Sequence, residues 1–383
     1  MSWFPERNNQ TWLQKICAGI LKAGPIPKHV AFIMDGNRRF ATKNSMDRAQ
    51  GHLQGFNKLA ETLEWCLDLG ISEVTVYAFS IENFKRSKDE VDCLMELARQ
   101  KFSKLLHEKE MIEKHGVCIR VLGQLTLLPQ DIQETIAEAV YFTKHNTRAI
   151  LNVCFAYTAR DDICTSMREM TNGVKQGIIK QSDINEELLE KCLYTSQSRK
   201  VDLLIRTSGE VRLSDFLLWE SAYTCLAFVK VLWPEFSIWH LYAAVLHYQR
   251  NSQVARQNNQ IECERLQRES DHKCILMELE EQMQIKGEKS RDTSNIQSKV
   301  AQYAKIRNHR VQCFVDGLNR RRAEYFEKLT YLPKLVLLGA MQTTSTYCHV
   351  NYYGEWRPKE LTQLKVVLRW WSPNFRLSRA ISI

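Results

Sequence analysis

Glycine and proline are scarce in this chain, 15 and 8 of 383 residues. Neither G-x-x-x-x-G-K-[ST] nor G-x-G-x-x-G occurs. Both features count against a fold that cradles phosphate mainly with backbone loops or binds dinucleotides by the glycine fingerprint. None of the twelve cysteines sits in a C-x-x-C pair, which argues against zinc. The first residues carry Pro5, Glu6, Arg7 and Asn8 where a secretory signal would be apolar. Free thiols in a reducing compartment are the expectation. Long hydrophobic runs are also missing. Stretches such as residues 335–341 fall far short of the roughly 20 that span a bilayer, so any membrane contact is expected to be peripheral.

Charge decides little by itself. The formal balance is +9, which suits nucleic acid, anionic lipid and phosphorylated small molecules alike. Much of the excess lies beyond residue 330, where seven basic residues face only Glu355 and Glu360. The arginines of the body cluster at strand ends and not along one helix, and no zinc-finger or RNA-recognition signature occurs, so no nucleic-acid partner is expected.

Apolar spacing divides the chain. Residues 1–27 contain a helix over 11–23, capped by Thr11, with Trp12, Leu13, Ile16, Cys17, Ile20 and Leu21 on one face. That face either lies on a membrane interface or docks on the body. Residues 28–250 alternate short β-branched runs (29–34, 74–79, 117–122, 150–155, 202–206, 224–228) with amphipathic stretches near 52–69, 88–115, 130–145 and 160–177. This pattern predicts an α/β domain with a central, mostly parallel sheet of about six strands flanked by helices. Ligands of such sheets sit beyond the carboxyl ends of the strands. Residues 251–329 are polar and helical, broken at 287–295, and predict a solvated hairpin or arm that packs on a partner. Residues 330–383 form a tail rich in aromatics without periodicity.

Three predicted strands empty into basic polar clusters. The first runs into Asp35, Gly36, Asn37, Arg38 and Arg39. One carboxylate and two guanidiniums there suit a magnesium-bound polyanion: Asp35 offers hard oxygen, Gly36 a tight turn, and the arginine forks grip phosphate. A charged turn after a strand is the plainer reading of that segment alone. The second strand ends in Ser80, Asn83 and Arg86, with Phe79 and Phe84 interleaved, as an amphiphilic substrate would require; a simple helix cap at Ser80 explains part of it. The third gives Arg206, Thr207, Ser208, Arg212 and Ser214. Three arginine-bearing strand ends form a pattern that no single turn explains.

These blocks, with His52 in G-H-x-x-G (Gly51 to Gly55) and the segments at 216–219 and 231–234, resemble the cis-prenyltransferases, the undecaprenyl and dehydrodolichyl diphosphate synthases. The likeness runs over roughly 28–250, and residues 206–215 and both terminal helical zones are similar to the animal catalytic subunits. It implies condensation of isopentenyl diphosphate onto farnesyl diphosphate, giving a long polyprenyl (dehydrodolichyl) diphosphate for dolichol synthesis and protein glycosylation. Asp35 would bind Mg2+. Gly36, Asn37, Arg38, Arg39, His52 and Arg86 would surround the allylic diphosphate, with Ser80 and Asn83 at the condensation centre. Arg206, Arg212 and Ser214 would hold isopentenyl diphosphate. The apolar residues of 88–115 and 130–145 suffice to line a product channel, although core packing accounts for them equally. The only Asp-Asp pair, Asp161-Asp162, is followed by Ile-Cys-Thr and so lacks the third aspartate of a trans-prenyltransferase metal motif.

Departures from the pattern carry expectations of their own. Cys225 stands where single-subunit bacterial members have a metal-assisting glutamate, which predicts an incomplete metal shell. Phe40 replaces the usual Trp or Tyr, and the linker 196–201 lacks prolines. No arginine begins the R-x-G loop that single-subunit members and accessory subunits supply from their C-terminus. The likeness thus implies a heteromer with a Nogo-B-receptor-type accessory subunit, peripheral on the cytosolic face of the endoplasmic reticulum membrane. A catalytically impaired paralogue that binds lipid diphosphate or scaffolds a complex is the alternative.

Overall fold

The computed structural model describes residues 11–252, 264–265, 276 and 296–349. Six strands, β1 His29–Ile33, β2 Glu73–Ser80, β3 Val117–Leu122, β4 Ala149–Tyr157, β5 Leu203–Arg206 and β6 Cys225–Phe228, begin and end within two residues of the predicted runs. They form one sheet in the order β3-β4-β2-β1-β5-β6, and every neighbouring pair is parallel. The α/β expectation is met.

Burial on both faces explains the sequence of β1. All five of its residues are buried, and they alternate between two cores. Val30 and Phe32 join the larger core under α3 Arg48–Leu69, α4 Lys88–His107, α6 Gln130–Thr143 and α9, described over residues 238–252; Ala31 and Ile33 join Leu204, Tyr157 and Phe216 on the opposite face. Phe32 packs on Trp233 and Phe236 at ring separations of 5.9 and 6.2 Å. Burial of such a ring contributes about 2–3 kcal/mol.

The chain order α1 Trp12–Lys22, α2 Asn37–Lys43, α3, α4, α5 Lys109–His115, α6, α7 Ala159–Lys175, α8 Glu186–Cys192, α9 and α10 Ile296–His349 completes the described helices. Thr11 and Gln14 cap α1 reciprocally. This helix docks on α9: Ala18 and Leu21 are buried, Tyr242 Oη donates to the Gln14 carbonyl at 3.2 Å, and Gln249 Nε2 donates to the Leu21 carbonyl at 2.7 Å. Trp12 (73% exposed) and Ile20 (69%) remain on the open side. Both readings of that face thus keep a physical basis.

Two expectations are corrected. The helix predicted over 88–115 is divided at Glu108, whose backbone (φ −97°, ψ 30°) ends α4 before α5 begins. Where the sequence predicts a solvated arm, α10 instead lies against α7 and α8 of the body: Val311, Phe314, Val315 and Leu318 join Met170, Ile179, Leu188 and Leu189 in one buried cluster. Asp183, fully buried, accepts from Arg310 Nε and Nη2, both at 2.7 Å. The apolar contact outweighs solvation of the helix, and the buried carboxylate fixes its register. Most of the other half of the predicted hairpin, within 253–295, lies outside the described residues. The chain divides into two units, Met1–Thr330 and Tyr331–Ile383, and the sheet belongs to the first. No described helix is long and apolar enough to cross a membrane.

Candidate active site

Beyond the carboxyl ends of β1, β2 and β5 lies a cavity of about 790 Å³. Parallel pairing sets Ile33 of β1 beside Arg206 of β5, so the residues leaving those strands meet at once. Asp35, Asn37, Arg38, His52, Ser80, Asn83, Arg86, Arg206, Arg212 and Ser214 all line the cavity. Gly36 and Arg39 do not. Gly36 turns the chain into α2 at φ +112°, where a Cβ would press on Leu232 at 3.0 Å; a side chain there is strained twice over.

Arg206 is the anchor of this end. Only 3% exposed, it donates through Nη2 to Asp35 Oδ2 at 2.9 Å, and through Nη1 to Ser214 Oγ at 2.7 Å and to the Arg212 carbonyl. The Asp35 backbone is locked as well: its N–H donates to Thr207 Oγ1 at 3.1 Å, and that hydroxyl donates back to its carbonyl at 2.7 Å. Burial pushes the Asp35 carboxyl up. Hydrogen bonds from Arg206 and Ser208, with the charges of Arg206 and Arg39, outweigh this and hold it below its ordinary value. Asp35 is therefore a carboxylate, with a side chain 33% exposed and free to accept more. Arg39 stands 3.5 Å from Asp35 Oδ2, donates to the Ser208 side chain and, at 3.7 Å, reaches Glu210, which also pairs with Arg212 at 2.7 Å.

The loop after β5 is bent for this purpose. Ser208, Ser214, Asp215 and Leu217 all have positive φ (78°, 51°, 60° and 46°). Such conformations cost about 1–2 kcal/mol each in non-glycine residues. Tyr77, stacked on Phe216 at 4.5 Å, donates from Oη to the carbonyls of Tyr157 at 3.2 Å and Ser214 at 3.4 Å, and so holds the loop down.

The G-H-x-x-G spacing has a steric reason. A Cβ on Gly55 would lie 2.3 Å from Asn37 Oδ1, and one on Gly51 would lie 2.6 Å from the Asn37 carbonyl. Both glycines let α3 close over Asn37, while His52 between them faces the cavity. Burial, then the positive charge of Arg86, lowers the His52 pKa, so this imidazole favours its neutral form. Asn37 Oδ1, His52 Nε2 and Arg206 Nε are buried without hydrogen-bond partners among the described residues. Three such atoms around one cavity match a polar ligand.

Ser80 and Asn83 cap each other: Ser80 N donates to Asn83 Oδ1 at 3.0 Å, and Ser80 Oγ accepts from Glu82 N at 3.2 Å. The simple cap is present, and it presents both side chains to the cavity.

Below the polar mouth the wall turns apolar through Phe56 and Leu59 of α3, Leu94, Leu97 and Phe102 of α4, and Phe155 of β4. The α6 stretch does not line it; Ile132, Ile136 and Ala139 are spent in the core. One cation interrupts the wall. Lys101 Nζ sits 4.1 Å from the centre of the Phe56 ring, and burial lowers its pKa.

Cys225 opens β6 opposite Leu203, at the far end of the sheet from Asp35, and does not line the cavity. This chain's own cavity therefore receives no metal-assisting carboxylate from that position. Sequence reasoning missed the acids behind the arginines, Glu90 and Glu210. Glu90 stood four residues after Arg86, a helical pairing distance, and that spacing was the available signal. Arg160, which lines the cavity and pairs with Asp215 at 2.7 Å, had no such signal.

Known proteins share this framework. The family model for undecaprenyl diphosphate synthase, a prenyltransferase family, matches residues 33–255. The chain is 55% identical over 333 residues to the human dehydrodolichyl diphosphate synthase complex subunit DHDDS, covering 86% of this chain and 98% of that protein. It is 47% identical over 216 residues to the tritrans,polycis-undecaprenyl-diphosphate synthase (geranylgeranyl-diphosphate specific) of Pyrococcus furiosus, covering 56% of this chain and 81% of that one. Among solved structures, lavandulyl diphosphate synthase from Lavandula x intermedia, in complex with dimethylallyl diphosphate, superposes with a TM-score of 0.56 at 33% identity, over 58% of this chain and 95% of that one.

Proposed function

As the chain belongs to the undecaprenyl diphosphate synthase family of cis-prenyltransferases, we propose that it is the catalytic subunit that condenses isopentenyl diphosphate onto farnesyl diphosphate at the Asp35 cavity. It is a transferase that makes polyprenyl diphosphate for dolichol. The observation that carries the site assignment is the union of two diphosphate-sized basic clusters with one ionised aspartate above an apolar wall.

The two clusters divide the substrates. Arg38, Arg86 and His52 take the allylic diphosphate, with Asn37 between the glycines of α3 orienting its reacting end. Arg206, Arg212 and Ser214 take the diphosphate of isopentenyl diphosphate. As the allylic carbon–oxygen bond breaks, its electron pair leaves on the diphosphate, where the guanidiniums stabilise the growing charge. The isopentenyl double bond then attacks, and loss of a proton leaves the new cis olefin. Phe56, Leu59, Leu94 and Phe102 keep water from the cationic carbon and accept the hydrocarbon tail. Gly36 and Arg39 act from outside the cavity by shaping the turn and holding the Ser208 loop.

The residues present fit Mg2+. No group of three or more His, Cys, Asp or Glu among the described residues could hold a metal by itself. A single ionised carboxylate beside two phosphate sites is nevertheless the donor set magnesium uses, with phosphate oxygens and water completing its shell. Asp35 would hold it, and bound Mg2+ would neutralise departing diphosphate as a Lewis acid.

Similarity to a protein named as a dehydrodolichyl diphosphate synthase complex subunit supports a heteromer with a Nogo-B-receptor-type accessory subunit. The outward Trp12, Ile16 and Ile20 of α1 and the hydrophobic product support peripheral attachment to the cytosolic face of the endoplasmic reticulum membrane. The test is isopentenyl incorporation with farnesyl diphosphate and magnesium, for the chain alone and co-expressed with such a subunit. Activity in the pair only is expected. Robust turnover by the single chain would refute the heteromer, and silence of a folded, assembled pair would refute the catalytic assignment.

A further inference from the structure

We propose that Glu90 is the positioning residue of the allylic-diphosphate cluster, an acid set behind the cavity that holds the Arg38 and Arg86 guanidiniums in their binding geometry before substrate arrives, with Arg48 as a third partner outside the cavity. The inference rests on the functional reading of that cluster given above. Glu90 sits in the first turn of α4 with a side chain only 7% exposed. A first-turn acid normally faces water and serves the helix dipole. This one turns inward and gathers arginines from three elements. Arg86, at the end of the turn after β2, donates Nη1 to Oε1 at 2.7 Å; Arg38 of α2 stands 3.7 Å from the same oxygen; Arg48 of α3 stands 3.5 Å from Oε2.

Arg38 and Arg86 line the cavity, whereas Glu90 does not. The carboxylate therefore lies on their far side. A guanidinium has five N–H groups in a rigid fork, so it can give one edge to Glu90 and keep another for phosphate. Without the acid, three like charges would crowd one corner. Arg38 and Arg48, whose side chains are half or more exposed, would spread into solvent. Ordering the Arg38 fork would then fall on the ligand, at the cost of its rotamer freedom. Loss of the acid also leaves the cavity one unit more positive, which by itself would favour an anion. The geometry decides against that effect: the contact is direct on the arginines, while a phosphate on their opposite edges is a layer away from Glu90.

Calorimetric titration of the full chain with farnesyl diphosphate, inorganic pyrophosphate and isopentenyl diphosphate tests this. Glu90→Gln should weaken the first two by about 10- to 100-fold, the worth of one charge-assisted contact, and leave isopentenyl diphosphate within about twofold. Glu90→Asp, which keeps the charge and shortens the reach, should fall between. On an Arg86→Ala background the Glu90→Gln effect should shrink to about threefold or less, because the residue acts through the arginine. Unchanged or tighter binding in Glu90→Gln would overturn the proposal. So would an equal loss for all three ligands with a lowered melting temperature, which marks a merely structural role. Should wild-type chain bind pyrophosphate but not farnesyl diphosphate, the functional reading falls and the pyrophosphate series still judges Glu90. Binding of neither would refute both.

Discussion

Replacing Arg206 with alanine removes the three contacts that join β1, β5 and the loop between β5 and β6. The bonds to Asp35 and Ser214 and to the Arg212 carbonyl disappear together. The arginine is almost wholly buried, but Asp35 keeps a third of its side-chain surface in contact with solvent. Loss of one member of a fully buried pair costs about 3–5 kcal/mol. Solvent reaches Asp35 and screens part of that charge, so about 2–4 kcal/mol is expected here, with the loop strain at Ser214 now unopposed. Chemical denaturation of the folded subunit should register that loss. If the proposed function holds, turnover should fall by about 10- to 100-fold or more, since a guanidinium on a diphosphate supplies some 1.5–3 kcal/mol and its loss also frees Asp35 to drift. Arg206→Lys keeps the charge but lacks the planar fork whose two nitrogens serve Asp35 on one side and Ser214 with the Arg212 carbonyl on the other, so it should recover only part of either quantity. Arg206→Ala with stability within about 0.5 kcal/mol of wild type and an unaltered KM for isopentenyl diphosphate would refute the reasoning.

Two further outcomes follow from packing and burial. Gly55→Ala drives a methyl group into Asn37 Oδ1; a stability loss of about 1–3 kcal/mol and a drop in turnover of about tenfold or more are expected, and neutrality in both would show that α3 can move aside. Asp162 is buried with Oδ1 accepting from Tyr194 N at 2.9 Å and Oδ2 without a partner among the described residues. Burial pushes its carboxyl up to about 8. Because the folded value exceeds the unfolded one, the fold keeps a proton that the unfolded chain releases, so stability declines as pH rises from about 4 toward 8. Asp162→Asn should therefore melt higher than wild type near pH 8 and much closer to it near pH 5. A pH-independent difference would contradict the burial argument.

The strands were legible because burial on both faces demands unbroken apolar runs, and the three cavity-facing clusters were legible because parallel strands deliver whatever follows them to one end. Tertiary facts were not. Nothing in the run 130–145 says that Ile132 and Ile136 serve the core while Leu94 and Phe102 of α4 face the cavity, since helical periodicity marks a buried stripe and not its neighbour. The place of Cys225 was hidden for a similar reason: its pairing with Leu203 sets it at the start of β6, at the opposite strand end from Asp35, and a motif carries no such distance. Glu90 shows the third kind of gap. Its link to Arg86 is local, but its links to Arg38 and Arg48 exist only once α2, α3 and α4 converge.

The seating of α10 on α7 and α8 has a consequence for biosynthesis. Leu188 and Leu189 emerge from the ribosome about 120 residues ahead of Val311, Phe314 and Val315. At roughly 5–20 residues per second, their apolar surface waits some 6–24 seconds for its cover. A nascent chain whose catalytic cavity is already encoded is then still sticky, and one cut short before residue 311 never loses that surface. Quality control would meet such a truncated product as a chaperone client, whatever the state of its active site.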